Sequence, residues 1–231
     1  MAAHVEVLDD LEAISNFALK RLERALANQQ GDFHLALAGG STPKHLYELM
    51  ARQPLPWDRI HLWWGDERHV PHDHQDSNFR MVRQAMLDNL SLSPDQIHPW
   101  PYDPDPARAA EAYDQALRAQ FGGPATFNLT LLGMGDDGHT ASLFPGTSAL
   151  KVEDRLAVAN RVEQLDTWRL TLTYPALARS NEVLFLVAGE GKAPALEQVL
   201  ESGRLPSSKV RARDQLIFAV DRAAAQRLAA K

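Results

Sequence analysis

The chain has 231 residues, no cysteine and a formal net charge of −6. That length fits one large α/β domain or at most two small ones. The acidic balance argues against nucleic acid and anionic membranes as partners, and the missing thiol excludes disulfides, thiolate nucleophiles and Cys-ligated metals. The opening "MAAHVEVLDDLEA" is acidic early and lacks an uninterrupted apolar core, so it does not read as a signal peptide. No apolar run approaches the ~20 residues of a membrane span. The expectation is a soluble, cytoplasmic protein with a single domain over 1–231.

Residues 9–30 carry Leu11, Ile14, Ala18, Leu22, Ala25 and Leu26 on one helical stripe. The run 33–38, "FHLALA", reads as a buried strand that ends in "GGSTP". A helix is predicted from about 43 to 52, with Ser41 or Thr42 as N-cap and Pro43 in its first turn. A second strand, 59–64, ends in "GDER", and a histidine-bearing loop leads to a helix starting near Ser77. The stretch 98–106, "HPWPYDPDP", is a proline-rich connection, followed by a helix over 107–120. Strands are predicted at 127–133, 156–159, 169–173, 182–189 and 216–220. A helix around 194–202 follows the fourth of these, and Asp221 caps a closing helix.

Strands alternate with helices, and several strands are continuous apolar runs, so the sheet should be mostly parallel and covered on both faces. Ligands bind such sheets beyond the carboxyl ends of the strands. The residues just after the strands are "GGST" with Lys44; Asp66, Glu67 and Arg68; Asp136, Asp137 and His139; and Lys192. One rim should gather them all.

"GGSTPKHL" joins a strand to a helix, where free backbone N–H groups and the helix dipole favour an anion such as phosphate; an ordinary helix cap is the plainer alternative. "GMGDDG" has the spacing of the dinucleotide fingerprint, but two aspartates would repel a pyrophosphate there. His139 can act as a general base near neutral pH, and an adjacent carboxylate can orient it; otherwise the stretch is a tight turn with solvated aspartates. His69, His72, Asp73 and His74 raise a metal site, but no matching ligand set stands elsewhere, so a polar surface loop is the reading. Arg68 suits a phosphate through its planar fork, and Lys192 shares the same rim. Arg169 begins a strand or precedes it, which leaves its place on the rim less secure. Trp63 and Trp64 read as core and wall.

The segments "ALAGGSTPKHLY", "WWGDERHVP", "LLGMGDDGHTASLFPG", "RLTLTYPAL" and "LFLVAGEGKA" together resemble the 6-phosphogluconolactonases, in order from about residue 30 to 200. A more distant likeness runs to the glucosamine-6-phosphate deaminases, which share "GST", "DE" and "DGH". The resemblance implies a Rossmann-like, NagB/RpiA-like three-layer sandwich with a mostly parallel central sheet. It implies hydrolysis of a sugar-phosphate lactone with no cofactor and no metal. It makes His139 the base that activates water and Asp137 its support, and it puts Gly40, Ser41, Thr42, Arg68 and Lys192 on the sugar phosphate, with Arg169 as a weaker addition. Backbone N–H groups of the turn 133–138 are offered as oxyanion donors. The deaminases follow "DGH" with a nearby glutamate and "DE" with a tyrosine. Here no glutamate occurs until Glu153, and Arg68 stands in the tyrosine's place. A monomer is expected, and the tail near "SSKVRARDQ" departs from the family pattern.

Overall fold

The computed structural model describes residues 3–123 and 125–228. The chain runs β1 (His4–Leu8), α1 (Leu11–Asn28), β2 (Phe33–Leu37), α2 (Ser41–Met50), β3 (Ile60–Trp64), β4 (Asp66–Arg68) and α3 (Asn78–Ala85). It continues through β5 (Ile97–His98), α4 (Pro106–Gln120), β6 (Leu129–Leu132), β7 (Ala157–Val162), β8 (Thr167–Leu172) and α5 (Tyr174–Ala178). Last come β9 (Glu182–Val187), α6 (Ala193–Glu201), β10 (Gln215–Asp221) and α7 (Arg222–Ala225).

Seven strands form a parallel sheet in the order β1-β10-β9-β6-β2-β3-β5. Successive side chains of a strand point to opposite faces, and every residue of β6 and β9 is buried. Both faces of the sheet are therefore covered, which makes the expected three layers. On one of them α1 packs against α2 and against β10. Tyr113 of α4 is fully buried and donates its hydroxyl to the Trp64 and His98 carbonyls. Trp63 and Trp64 lie in the core, as read from the sequence. Among the described residues no helix is long and apolar enough to cross a membrane.

Besides β5 and α5, which the sequence did not flag, three features depart from the expected pattern. β1 pairs with β10 from His4 to Leu8 as an edge strand; its exposure leaves no continuous apolar run to flag it. The "DER" segment is the strand β4, joined to β8 and β7 in a separate antiparallel sheet. The helix α2 begins two residues early and is capped by Gly40, not by a Ser41 or Thr42 side chain. Gly40 has φ 103°, a left-handed conformation that glycine takes without a Cβ penalty, so the hydroxyl residues already sit inside the helix. Asp221 caps the last helix as expected, and Asp10, Ser77, Asp105 and Thr173 likewise each accept a backbone N–H of the helix they begin.

On one face of the sheet, β2, β3 and β5 bring three histidines together. The His34 and His61 ring centroids are 5.0 Å apart, His61 and His98 5.4 Å, and His98 lies flat on Trp63 at 3.9 Å. The Trp63 indole N–H donates to His34 Nδ1 over 3.1 Å, which requires that nitrogen to be unprotonated. Burial, then the neighbouring His61, lowers His34 and His98 to about 4, against smaller opposing pulls from Asp32 and Asp95. An unfolded histidine takes its proton near 6.5, so from that pH down to about 4 the unfolded chain binds more protons. Stability must fall as pH drops through this window. We expect the melting temperature to fall on the order of 5 °C between pH 7 and pH 5, after discounting for the rings' partial exposure. The slope should be shallower in His98→Phe. Circular dichroism melts check this, and a pH-independent melting temperature contradicts it.

Candidate active site

The carboxyl ends of β2, β3, β6 and β9 open onto one cleft of about 560 Å³. Gly40, Ser41, Thr42, Arg68, Asp137, His139, Arg169 and Lys192 all line it, with Asp66 and Asp136, so most of the expected rim exists; Lys44, which pairs with Glu48, and the buried Glu67 do not line it. Behind β2, Gly39 has no room for a side chain: a Cβ would lie 2.1 Å from the Asn78 amide oxygen. The glycine lets Asn78 close the back of the cleft and donate to the Asp66 carbonyl over 3.0 Å. The N-terminal turn of α2 then presents Ser41 and Thr42 to the cavity.

After β3, Gly65 turns the chain from the large sheet into the small one. Its N–H donates to Leu37 of β2 and its carbonyl accepts from Leu172 of β8. The next three residues have distinct fates. Asp66 points into the cleft and accepts the Ser142 hydroxyl at 2.7 Å. Glu67 is buried and accepts the Ser77 hydroxyl and the N–H groups of Arg68, Asn78 and Phe79. It caps α3, and burial raises its carboxyl above the ordinary range despite those donors. Arg68 faces Arg169 across the antiparallel pair of β4 and β8, so their side chains share one face of the ladder.

That pair settles Arg169 on the rim, where the sequence left it uncertain. Arg68 reaches the Asp76 carbonyl at 2.8 Å. Among the described residues, the buried Nε of Arg169 has no hydrogen-bond partner. Burial, and then the charge of Arg68, pull the Arg169 guanidinium below its ordinary pKa. Two opposed cations with a spare buried donor are costly by themselves and become favourable when an anion joins them.

After β6 comes the turn of the acid residues. Asp137 Oδ1 accepts His139 Nδ1 at 2.6 Å and the His139 backbone N–H at 3.0 Å. Burial pushes the Asp137 carboxyl up, but the His139 N–H and imidazole outweigh it and hold the group below its ordinary value. Asp136 instead meets Lys192 Nζ at 2.6 Å, so Asp137 is the histidine's partner. With Nδ1 committed, Nε2 is the nitrogen left for the cleft. Gly135 is required sterically, since a Cβ there would fall 2.1 Å from His139 Nδ1. Its N–H already serves the His139 carbonyl, and that of Gly138 serves the Gly135 carbonyl. These two amides are therefore spent within the turn and do not serve as oxyanion donors. Among the described residues no α-helix opens from this turn, so the dinucleotide reading is also excluded by the local fold.

The segment 205–207 braces the turn from behind. A Cβ on Gly138 would meet Leu205 at 2.6 Å, and the Ser207 hydroxyl donates to the Gly138 carbonyl at 2.8 Å. After β9, the Gly189 N–H is held by Asp221 at 2.9 Å, which fixes the approach of Lys192. In the histidine loop, the Nε2–H groups of His69 and His72 donate to the Asp103 and Trp100 carbonyls, each at 2.7 Å. Asn78, Ser142 and Phe144 line the cleft without having been singled out from the sequence.

The family model described as "Glucosamine-6-phosphate isomerases/6-phosphogluconolactonase" matches residues 9–218. A 6-phosphogluconolactonase of Nostoc sp. is 44% identical over 241 residues, covering 99% of each chain. The solved structure of a 6-phosphogluconolactonase from Trypanosoma cruzi superposes with a TM-score of 0.89 at 27% identity, covering 100% of this chain and 99% of that one. A monomeric glucosamine-6-phosphate deaminase of the NagB superfamily shares the fold, with a TM-score of 0.84 at 21% identity over 96% of this chain and 99% of that one. The chain belongs to the glucosamine-6-phosphate isomerase/6-phosphogluconolactonase family.

Proposed function

We propose that this protein hydrolyses 6-phospho-D-glucono-1,5-lactone to 6-phospho-D-gluconate, the lactone-opening step of the oxidative pentose phosphate pathway. The observation that carries the reading is the Asp137–His139 pair, with Nε2 left to the cleft, set in one cavity with Arg68, Arg169 and Lys192. A lactone is an activated ester and needs no covalent nucleophile. His139 Nε2 takes a proton from water, and the water oxygen adds to C1. The tetrahedral oxyanion collapses, the bond from C1 to the ring oxygen breaks, and the imidazolium returns its proton to that oxygen. The new carboxylic acid loses its proton to solvent. Asp137 keeps Nδ1 protonated and stabilises the imidazolium.

Arg68, Arg169, Lys192 and the first turn of α2, with Gly40, Ser41 and Thr42, hold the phosphate so that C1 meets the water. Lys192 exchanges its contact with Asp136 for the phosphate. The reaction draws on residues of one chain, and we propose a monomer as the working form. Deaminase chemistry would need a carboxylate free to move a carbon-bound proton. Glu67 is spent on the start of α3, and Asp66 is held by Ser142 and Asn78, which disfavours that alternative.

The test is hydrolysis of freshly generated lactone, coupled to 6-phosphogluconate dehydrogenase with the spontaneous rate subtracted. Acceleration without ammonia release from glucosamine 6-phosphate is the expected result. A folded protein that binds 6-phosphogluconate without accelerating hydrolysis would be a sensor instead. His139→Ala should lower kcat roughly 100-fold or more while product affinity holds, and an unchanged kcat removes the general base. Arg169→Ala should raise KM roughly tenfold or more with a smaller effect on kcat. A wild-type KM in that variant ends the phosphate assignment.

A further inference from the structure

One hydrogen bond fixes a point on an imidazole but not its plane. His139 is tied to Asp137 through Nδ1 alone, and the ring could still swing about that contact. Two neighbours restrict it. Gly135 lies so close to the Nδ1 and Cε1 atoms that any side chain there would overlap them. The Phe144 ring is stacked on the imidazole with centroids 4.0 Å apart and planes 21° from parallel.

The chain accepts strain to place that phenyl ring. Between His139 and Phe144 it doubles back in a tight turn, with the Leu143 N–H donating to Thr140 at 2.9 Å. Ala141 sits at φ 47°, in the left-handed region, at a cost of about 1 kcal/mol for a residue with a Cβ. The turn is pinned from the small sheet and its neighbours: the Ser142 N–H donates to Thr171, the Ser142 hydroxyl to Asp66, and Asn160 to the Ser142 carbonyl. Strain held in place by three outside bonds marks a position the fold imposes on the turn. The residue it delivers is Phe144, which also lines the cleft.

We infer that Phe144 is a positioning residue for the reaction: stacked on the imidazole, with Gly135 leaving room beside Nδ1 and Cε1, it holds His139 in the plane from which Nε2 faces the substrate. The inference rests on His139 being the base proposed above. Phe144→Leu removes the flat surface and leaves the phosphate contacts alone. It should lower kcat roughly tenfold to a hundredfold with KM within about twofold of wild type. Phe144→Tyr, which keeps the ring face, should restore most of kcat. Phe144→Met fills a similar volume without a flat face and should behave like the leucine variant, which covers the case in which leucine impairs folding.

NMR supplies a readout that does not depend on turnover. The ring protons of His139 should be displaced upfield by the Phe144 ring current in wild type and should move downfield in Phe144→Leu. A wild-type kcat in Phe144→Leu, a loss that Phe144→Tyr does not rescue, or His139 resonances that do not move would each overturn the inference. If the wild-type protein fails to hydrolyse the lactone, the general-base reading falls by itself. The resonances then still decide whether Phe144 orders His139.

Discussion

All seven strands of the large sheet run the same way, so the carboxyl end of each opens on the same edge. Because the middle of the sheet is buried on both faces, the charged side chains of the cleft lie beyond its strands. They collect in the turns at its ends. Four of those turns supply the cleft: glycines before α2, the Gly65 switch into the small sheet, the acid turn after β6, and Gly189 before α6. The apolar sheet is the rigid frame, and each turn hangs a short, conformationally fixed group of donors or acceptors from it.

Within the cleft, charge is sorted by local bonding. A chain of net charge −6 places Arg68, Arg169 and Lys192 around one cavity, with Asp66, Asp136 and Asp137 among them. Each aspartate has a designated partner: Ser142 for Asp66, Lys192 for Asp136 and His139 for Asp137. Arg169 is the one whose buried nitrogen is left over among the described residues. The Arg68–Arg169 pair and the Asp137–His139 pair thus share one cavity, while Lys192 and Asp136 neutralise each other.

The sequence made the frame legible because β2, β3, β6, β9 and β10 are short apolar runs between helical stripes. It also showed which residues follow each strand, and all eight residues singled out for the site line the cleft. What it hid has physical causes. β4 is Asp-Glu-Arg and carries no strand pattern; its pairing is decided by β8, about a hundred residues away. That same long-range pairing brings Arg169 beside Arg68, so its place on the rim could not be read locally. The N-cap went to Gly40 because backbone geometry overrode the usual preference for a hydroxyl. Phe144 looked like one more apolar residue, and only the left-handed Ala141 turns it back onto His139.

The central claim is that Asp137 fixes the tautomer of His139 and leaves Nε2 as the basic nitrogen. The ¹⁵N chemical shifts of the His139 imidazole at neutral pH, in wild type and in Asp137→Asn, test it most directly. The account predicts a protonated Nδ1 and a bare Nε2 in the neutral ring of the wild-type protein, and loss of that preference in the variant. A neutral ring that carries its proton on Nε2 in the wild-type protein would contradict it.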